Sequence, residues 1–130
     1  MVIIIRGACS VGKTSASRAL VHALAKSAHV ECGEMMPWMS DATLEAVRGG
    51  DGHGVAALLN EWLVATAQVF DAEGIHLVVD WHFPEDHELR DLRCGLTEHG
   101  LHSCVFNLLC SPDEHLRRDR QREEDARIGA

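Results

Sequence analysis

The sequence predicts an α/β fold in which a parallel β-sheet carries helices on both faces. Three observations favour it. Short apolar segments alternate with longer segments whose apolar residues recur at helical spacing. The first apolar segment, Val2 to Arg6, leads directly into a glycine-rich loop and then a helical pattern. Strands separated by helices imply right-handed crossovers, and therefore parallel strands.

The strand-like segments are short, as expected for strands that are covered on both faces. They comprise Val2 to Arg6, a weaker segment around His29 to Cys32, Ile75 to Asp80 and Cys104 to Leu109. In such a sheet the ligand crevice lies at the carboxyl ends of the strands. We therefore expect the functional residues directly after these segments.

Helical patterns fill the intervals between the strands. Helices are predicted for Ser15 to Lys26, Asp41 to Arg48, Val55 to Phe70, a segment with Pro84 in its first turn, and a basic segment after Ser111. Glycines end three of them, at Gly49-Gly50, Gly74 and His99-Gly100. The run Ser111-Pro112-Asp113-Glu114 has the pattern of a capping box at the start of the last helix.

The loop after the first strand has the spacing of a phosphate-binding loop, G-x-x-x-x-G-K-[ST]. Its residues are Gly7, Ala8, Cys9, Ser10, Val11, Gly12, Lys13 and Thr14. A triphosphate needs many donors at short range, and such a loop turns successive backbone N–H groups inward, next to the positive end of a helix. Lys13 is expected to reach the β- and γ-phosphates, and the Thr14 hydroxyl to ligate Mg²⁺.

Composition limits the other classes of function. A chain of 130 residues with 46% hydrophobic residues is expected to form one domain, residues 1–130. The net charge of −8 disfavours binding to nucleic acid and to anionic membranes. The apolar runs are too short to span a bilayer, so we expect a cytoplasmic protein. The five cysteines form no C-x-x-C pair, and we expect them to be reduced thiols.

Asp80 ends the third apolar strand, where an acidic side chain can complete the shell of a Mg²⁺ ion next to the loop threonine. We predict that it acts through the metal's bound waters. A helix N-cap is the alternative role. His82 has the same strand parity as Asp80, so it too is a candidate for the crevice.

The order of these strands, helices and motifs along the chain resembles that of the small P-loop kinases. These include shikimate kinase, gluconate kinase, and the chloramphenicol phosphotransferase-like and related AAA-type small-molecule kinases. The resemblance is carried by G-A-C-S-V-G-K-T, E-C-G-E-M-M-P-W-M from Glu31, V-V-D-W-H-F-P from Val78 and L-L-C-S-P-D-E-H-L-R-R-D-R-Q-R from Leu108. It implies a three-layer P-loop NTPase fold with strand order 2-3-1-4. It also implies a lid whose arginines, here Arg118 and Arg122, close over the transferred phosphoryl group.

Two features depart from that family. Its acidic general base follows the second strand as an aspartate, whereas here either Glu31 or Glu34 must serve, and the sequence leaves both open. The family also continues with a further helix and a fifth strand, so we expect a minimal or C-terminally truncated domain. Residues 104–109 would then form an apolar sheet edge, from which we expect a homo-oligomer through this strand or the last helix.

The sequence therefore favours an ATP- and Mg²⁺-dependent phosphotransferase acting on a small-molecule hydroxyl. Lys13, Glu31 or Glu34, Arg118 and Arg122 are the catalytic candidates. The alternative is a non-catalytic nucleotide-binding module that regulates a partner. A metal-binding protein built on the nine histidines is disfavoured, because they are scattered. The identity of the acceptor is beyond the sequence.

Overall fold

In the computed structural model, which describes residues 1–48 and 53–128, a parallel four-stranded sheet lies between two layers of helices. The strands are β1 (Val2–Arg6), β2 (Ser27–Glu31), β3 (His76–Trp81) and β4 (Ser103–Asn107). The helices are α1 (Lys13–Ala23), α2 (Asp41–Arg48), α3 (His53–Ala72), α4 (Asp86–Glu98) and α5 (Pro112–Ile128), and Cys32–Trp38 forms a 3-10 helix. The strand order β2-β3-β1-β4 confirms the prediction.

The side chains of β1 alternate between two apolar clusters, one on each face of the sheet. Val2 and Ile4 pack into the larger cluster with residues of α3 and α4, including Leu63 and Leu92. The opposite face of β1 packs, together with Val78 of β3, against α1. Because β1 lies between β3 and β4 and is covered on both faces, it needs the unbroken apolar run seen in the sequence.

The helix predicted to hold Pro84 in its first turn begins two residues later, so that prediction is wrong. Glu85 is the N-cap of α4, and it forms a reciprocal capping box with Glu88. Pro84 therefore lies in the turn before the helix. In the same turn the buried Phe83 has a left-handed φ of 45°, which turns the chain between β3 and α4.

The second strand also differs from the predicted segment. It is Ser27–Glu31, and Cys32 instead begins the 3-10 helix. This strand has no continuous apolar run, and its limits follow from its pairing with β3, in which Ser27 lies opposite His76 and Glu31 opposite Asp80. The last strand, β4, ends at Asn107 rather than at Leu109.

Two further helix ends follow the predicted local signals, whereas α1 ends at Ala23 rather than at the predicted Lys26, since Leu24 is already extended. Gly74, the second residue after α3, has φ +68°. Ser111 caps α5, because its Oγ accepts a hydrogen bond from the Glu114 N–H at 3.3 Å. The predicted stop at Gly49-Gly50 lies outside the described residues. Within the described ranges, no helix has both the length and the apolar character needed to cross a membrane.

Candidate functional site

The loop between β1 and α1 has the backbone of an anion-binding site. A Cβ on Gly7 would lie 2.7 Å from Cγ1 of Val11 and 2.8 Å from the Leu108 carbonyl oxygen, so only glycine fits there. Ser10 and Gly12 have φ of 59° and 102°, which fold the loop back on itself. Helix α1 begins directly afterwards, at Lys13, so its positive end faces the loop.

A cleft of about 960 Å³ lies over this loop and the carboxyl ends of β2 and β3. Its lining brings together most of the predicted site residues: Cys9, Ser10, Val11, Gly12, Lys13, Thr14, Glu31, Asp80, Arg118 and Arg122. Gly7 and Ala8 instead line a second cavity of about 830 Å³, between the loop and the segment after β4. The cleft is large enough for two small ligands side by side.

Three cationic side chains converge on the loop. Lys13 Nζ donates a hydrogen bond to the Ala8 carbonyl at 2.7 Å. From α5, Arg118 donates to the Val11 carbonyl at 2.9 Å, and Arg122 donates to Ser10 Oγ at 3.5 Å. Each of the three side chains could therefore reach an anion bound in the loop by a change of rotamer.

A third side chain of α5, His115, also contacts the loop, and sequence reasoning missed it. Its Nε2 donates to the Cys9 carbonyl. His115, Arg118 and Arg122 follow one another at intervals of three and four residues, so they share one face of the helix. From this spacing His115 could have been predicted to lie on the same helix face as the two arginines. Three side chains, spread over about two turns of the helix, thus bind the loop.

Asp80 is the buried acid of the cleft, with 2% of its surface exposed. His29 of β2 lies 3.2 Å from Asp80 Oδ2, measured from Nε2, and this contact too was missed from the sequence. The charge of Asp80, together with the larger effect of burial, raises the pKa of the nearby Cys32 thiol above its ordinary range. Cys32 is therefore a protonated core residue.

The oxygen donors of the cleft fit a magnesium ion. Thr14 supplies a hydroxyl and Asp80 a carboxylate, and both line the cleft beside Lys13. Among the described residues, no group of three or more His, Cys, Asp or Glu side chains is placed to hold a metal ion. A cation bound directly by Thr14, and through water by Asp80, would take its other oxygen ligands from phosphate and water.

The two candidates for the general base occupy different positions. Glu31 is half-buried at the end of β2, lies opposite Asp80 in the pairing of β2 with β3, and lines the cleft. Glu34 is exposed in the following 3-10 helix and is not among the described residues that line the cleft. The geometry therefore favours Glu31.

Two aromatic side chains after Asp80 line the same cleft. The rings of Trp81 and His82 lie 4.2 Å apart between centroids, tilted by 45°. The pKa of His82 is lowered by burial and, to a lesser extent, by the charge of Lys13, while Glu88 opposes that shift. His82 is therefore an uncharged imidazole at neutral pH.

Comparisons with known proteins agree with this geometry. The model of a family described as AAA domain matches residues 2–129. Among curated proteins, no match to this sequence is found. Solved structures similar to the chain include a protein of the Pnkp1/Rnl/Hen1 RNA repair complex, with 15% identity and a TM-score of 0.71. That match covers 95% of this chain but only 38% of the other.

Two further structures are similar over most of this chain. The tunicamycin resistance protein of Deinococcus radiodurans is 25% identical, with a TM-score of 0.66, over 92% of this chain and 68% of that one. A gluconokinase from Sinorhizobium meliloti is 17% identical, with a TM-score of 0.64, over 92% of this chain and 63% of that one. The predicted resemblance to small P-loop kinases is thus confirmed at the level of the fold.

Proposed function

Because this chain belongs to the AAA domain family, we propose that it is an ATP- and Mg²⁺-dependent phosphotransferase that acts on a small-molecule hydroxyl. The observation that carries the proposal is the cleft itself. It holds a glycine-rich anion loop, three cations, a buried carboxylate and a second carboxylate within one cavity. Phosphoryl transfer requires mainly positioning and electrostatic stabilisation, and these groups supply both.

Each group takes a role that its position supports. The loop amides and Lys13 bind the β- and γ-phosphates, with Arg118 and Arg122 neutralising charge on the transferred group. Thr14 binds Mg²⁺ directly, and Asp80 does so through water. The metal, when bound, neutralises charge on the phosphate oxygens.

Glu31 is the proposed general base. Its carboxylate accepts the proton of the acceptor hydroxyl as that oxygen attacks the γ-phosphorus. The bond from that phosphorus to the β–γ bridging oxygen breaks, and ADP leaves. The position of Glu31 in the cleft supports this role over that of Glu34.

The first test concerns nucleotide binding. ATP with Mg²⁺ should raise the melting temperature, because a ligand that binds only the folded state stabilises it by mass action. The variant Lys13→Ala should lose most of that shift, since it removes the mobile charge in the loop. Lys26→Ala, a lysine outside the cleft lining, is the matched control and should keep it. Equal shifts in all three proteins would show that the loop is not the nucleotide site.

The second test concerns the base. Glu31→Gln should lower kcat by roughly 10²- to 10⁴-fold and leave the nucleotide Kd unchanged, because a glutamine amide cannot accept the proton. Glu34→Gln, the matched control, should keep wild-type turnover. Full activity of both variants would remove the acid–base role of these two carboxylates. Nucleotide binding by the wild type with no turnover on any hydroxyl acceptor would instead favour the alternative function, a non-catalytic nucleotide-binding module.

Other expectations from the sequence are part of the same proposal. We infer that the chain does not bind nucleic acid or membranes, since its net charge is −8. A homo-oligomer through β4 or α5 is proposed because β4 lies at the edge of the sheet. A cytoplasmic location and a single domain over residues 1–130 stay predictions.

A further inference from the structure

The two ends of the cleft differ in chemistry. In the order β2-β3-β1-β4, the loop after β1 and helix α5 after β4 lie on one side. The ends of β2 and β3 lie on the other side. Lys13, Arg118 and Arg122 all belong to the first side. The second side is formed by Glu31, Gly33, Asp80, Trp81 and His82, and we name it the acceptor end.

A flat wall forms part of the acceptor end. Trp81 is half-buried, and a Cβ built on Gly33 would lie 3.5 Å from its Cζ3 atom. The indole therefore lies beside the backbone of the 3-10 helix at Gly33. The indole also contacts the ring of His82. A ring held in this way offers a rigid surface to the apolar face of a ligand ring.

The charge of the acceptor end is negative. Its carboxylates are the half-buried Glu31 and the buried Asp80. Among the described lining residues of the cleft, the lysine and arginine side chains all lie at the loop and α5. Those cations would be engaged by the triphosphate. An anionic acceptor would therefore meet Glu31 without a compensating cation.

From this arrangement we propose that the acceptor end binds uncharged hydroxyl compounds that carry a ring, and that it selects against carboxylic acids of the same shape. The ring lies on the wall of Trp81 and His82, with its hydroxyl directed to Glu31 and the γ-phosphate. This inference rests on the proposed phosphotransferase function and specifies its substrate class.

The experiment compares neutral and anionic probes of matched shape. One pair is 4-(hydroxymethyl)benzamide and 4-(hydroxymethyl)benzoate, and the other is glucose and glucuronate. Binding is measured by saturation-transfer NMR on the full chain saturated with Mg²⁺ and the β,γ-imido analogue of ATP. We expect the neutral member of at least one pair to bind about tenfold or more tightly than its anionic partner, since one uncompensated like charge has that effect.

Variants locate the binding. Trp81→Leu should weaken the neutral probe about tenfold, because it removes the flat wall, whereas Trp81→Phe should remain close to wild type. Trp38→Leu is the matched control, since Trp38 is 66% exposed, packs edge-on against Trp62 and does not line the cleft. The nucleotide Kd should be the same in all three variants.

Several outcomes would overturn the inference. They are equal or tighter binding of the carboxylates, an unchanged affinity in Trp81→Leu, or no binding of either neutral probe while the nucleotide is bound. Failure of the proposed function has a different signature. In that case the neutral probe binds at the Trp81 wall, but no phosphate passes to its hydroxyl from ATP.

Discussion

At the scale of single residues, the contact between His29 and Asp80 has the clearest consequence. Asp80 is almost completely buried, and a buried carboxylate needs hydrogen-bond donors to hold one orientation. His29 contacts Oδ2, at 3.2 Å, which leaves Oδ1 for the proposed water shell of Mg²⁺. Partners of metal-binding carboxylates in general tune metal affinity. Under the proposed function, His29 would thus position the Asp80 carboxylate.

We therefore expect His29→Leu to weaken Mg²⁺ binding by the nucleotide complex about tenfold. His29→Gln, whose amide nitrogen can replace Nε2 as a donor, should recover most of the loss. The measurement is a Mg²⁺ titration followed with a fluorescent nucleotide, which needs no turnover. If His29→Leu and His29→Gln behave alike, the contact has no orienting role.

The residues of this site were predictable to different degrees. Lys13, Thr14 and Asp80 follow from local patterns, because a loop motif and a strand end can be read without the fold. The contact of His29 with Asp80 depends on the pairing of β2 with β3, which sets their side chains on the same face. No local pattern encodes that pairing. Which of Glu31 and Glu34 lines the cleft likewise depends on the fold, because the 3-10 helix places Glu34 outside the described lining.

At the scale of elements, α5 is held to the loop by side chains rather than by an apolar face. Arg118 has two partners, since its Nε donates to Glu114 and its Nη1 to the Val11 carbonyl. Glu114 thereby fixes the arginine that points into the cleft. The same carboxylate also accepts two hydrogen bonds from Arg117, both at 2.8 Å.

These contacts predict a pH dependence. Hydrogen bonds from Arg117 and then Arg118 lower the pKa of Glu114 to about 2. Since the pKa is depressed on folding, the interaction is present above the unfolded value of about 4.3 and is lost as the pH falls toward 2. Carboxyl ¹³C NMR should show Glu114 ionised at pH 3. In the double variant Arg117→Gln/Arg118→Gln, the pKa of Glu114 should return to the ordinary range. An ordinary Glu114 pKa in the wild type would contradict the contacts with the two arginines.

Element boundaries show where sequence signals end. Strand β1 and helix α2 have the predicted limits, since an unbroken apolar run and clear helical spacing define them. Strand β2 has neither signal, and its position is set by its partner. Helix α4 begins at a capping box of two glutamates, Glu85 and Glu88, whereas proline was the stronger local cue. Tertiary pairing and side-chain caps thus account for the differences.

At the scale of the whole molecule, β4 is an edge strand of the sheet that the described residues form. The bonds from Val2 N–H to His102 and from Leu108 N–H to Arg6 show that even-numbered residues of this segment face β1. In a parallel ladder the N–H and C=O groups of Ser103, Val105 and Asn107 then point away from the sheet. Phe106 and Leu109 beside them are 55% and 91% exposed.

An edge with outward backbone groups and exposed apolar side chains can pair with the same edge of a second copy. We expect a homodimer, which Phe106→Lys should dissociate by placing two like charges at the shared edge. Phe106 is chosen rather than its neighbour Val105, because the Val105 side chain packs against the core and a lysine there would disturb the fold. Val69→Lys, at a residue of α3 that is 67% exposed, is the matched control and should leave the dimer intact. Sedimentation velocity at several concentrations measures the mass directly. A wild-type monomer at high concentration would mean that β4 does not pair with a second copy.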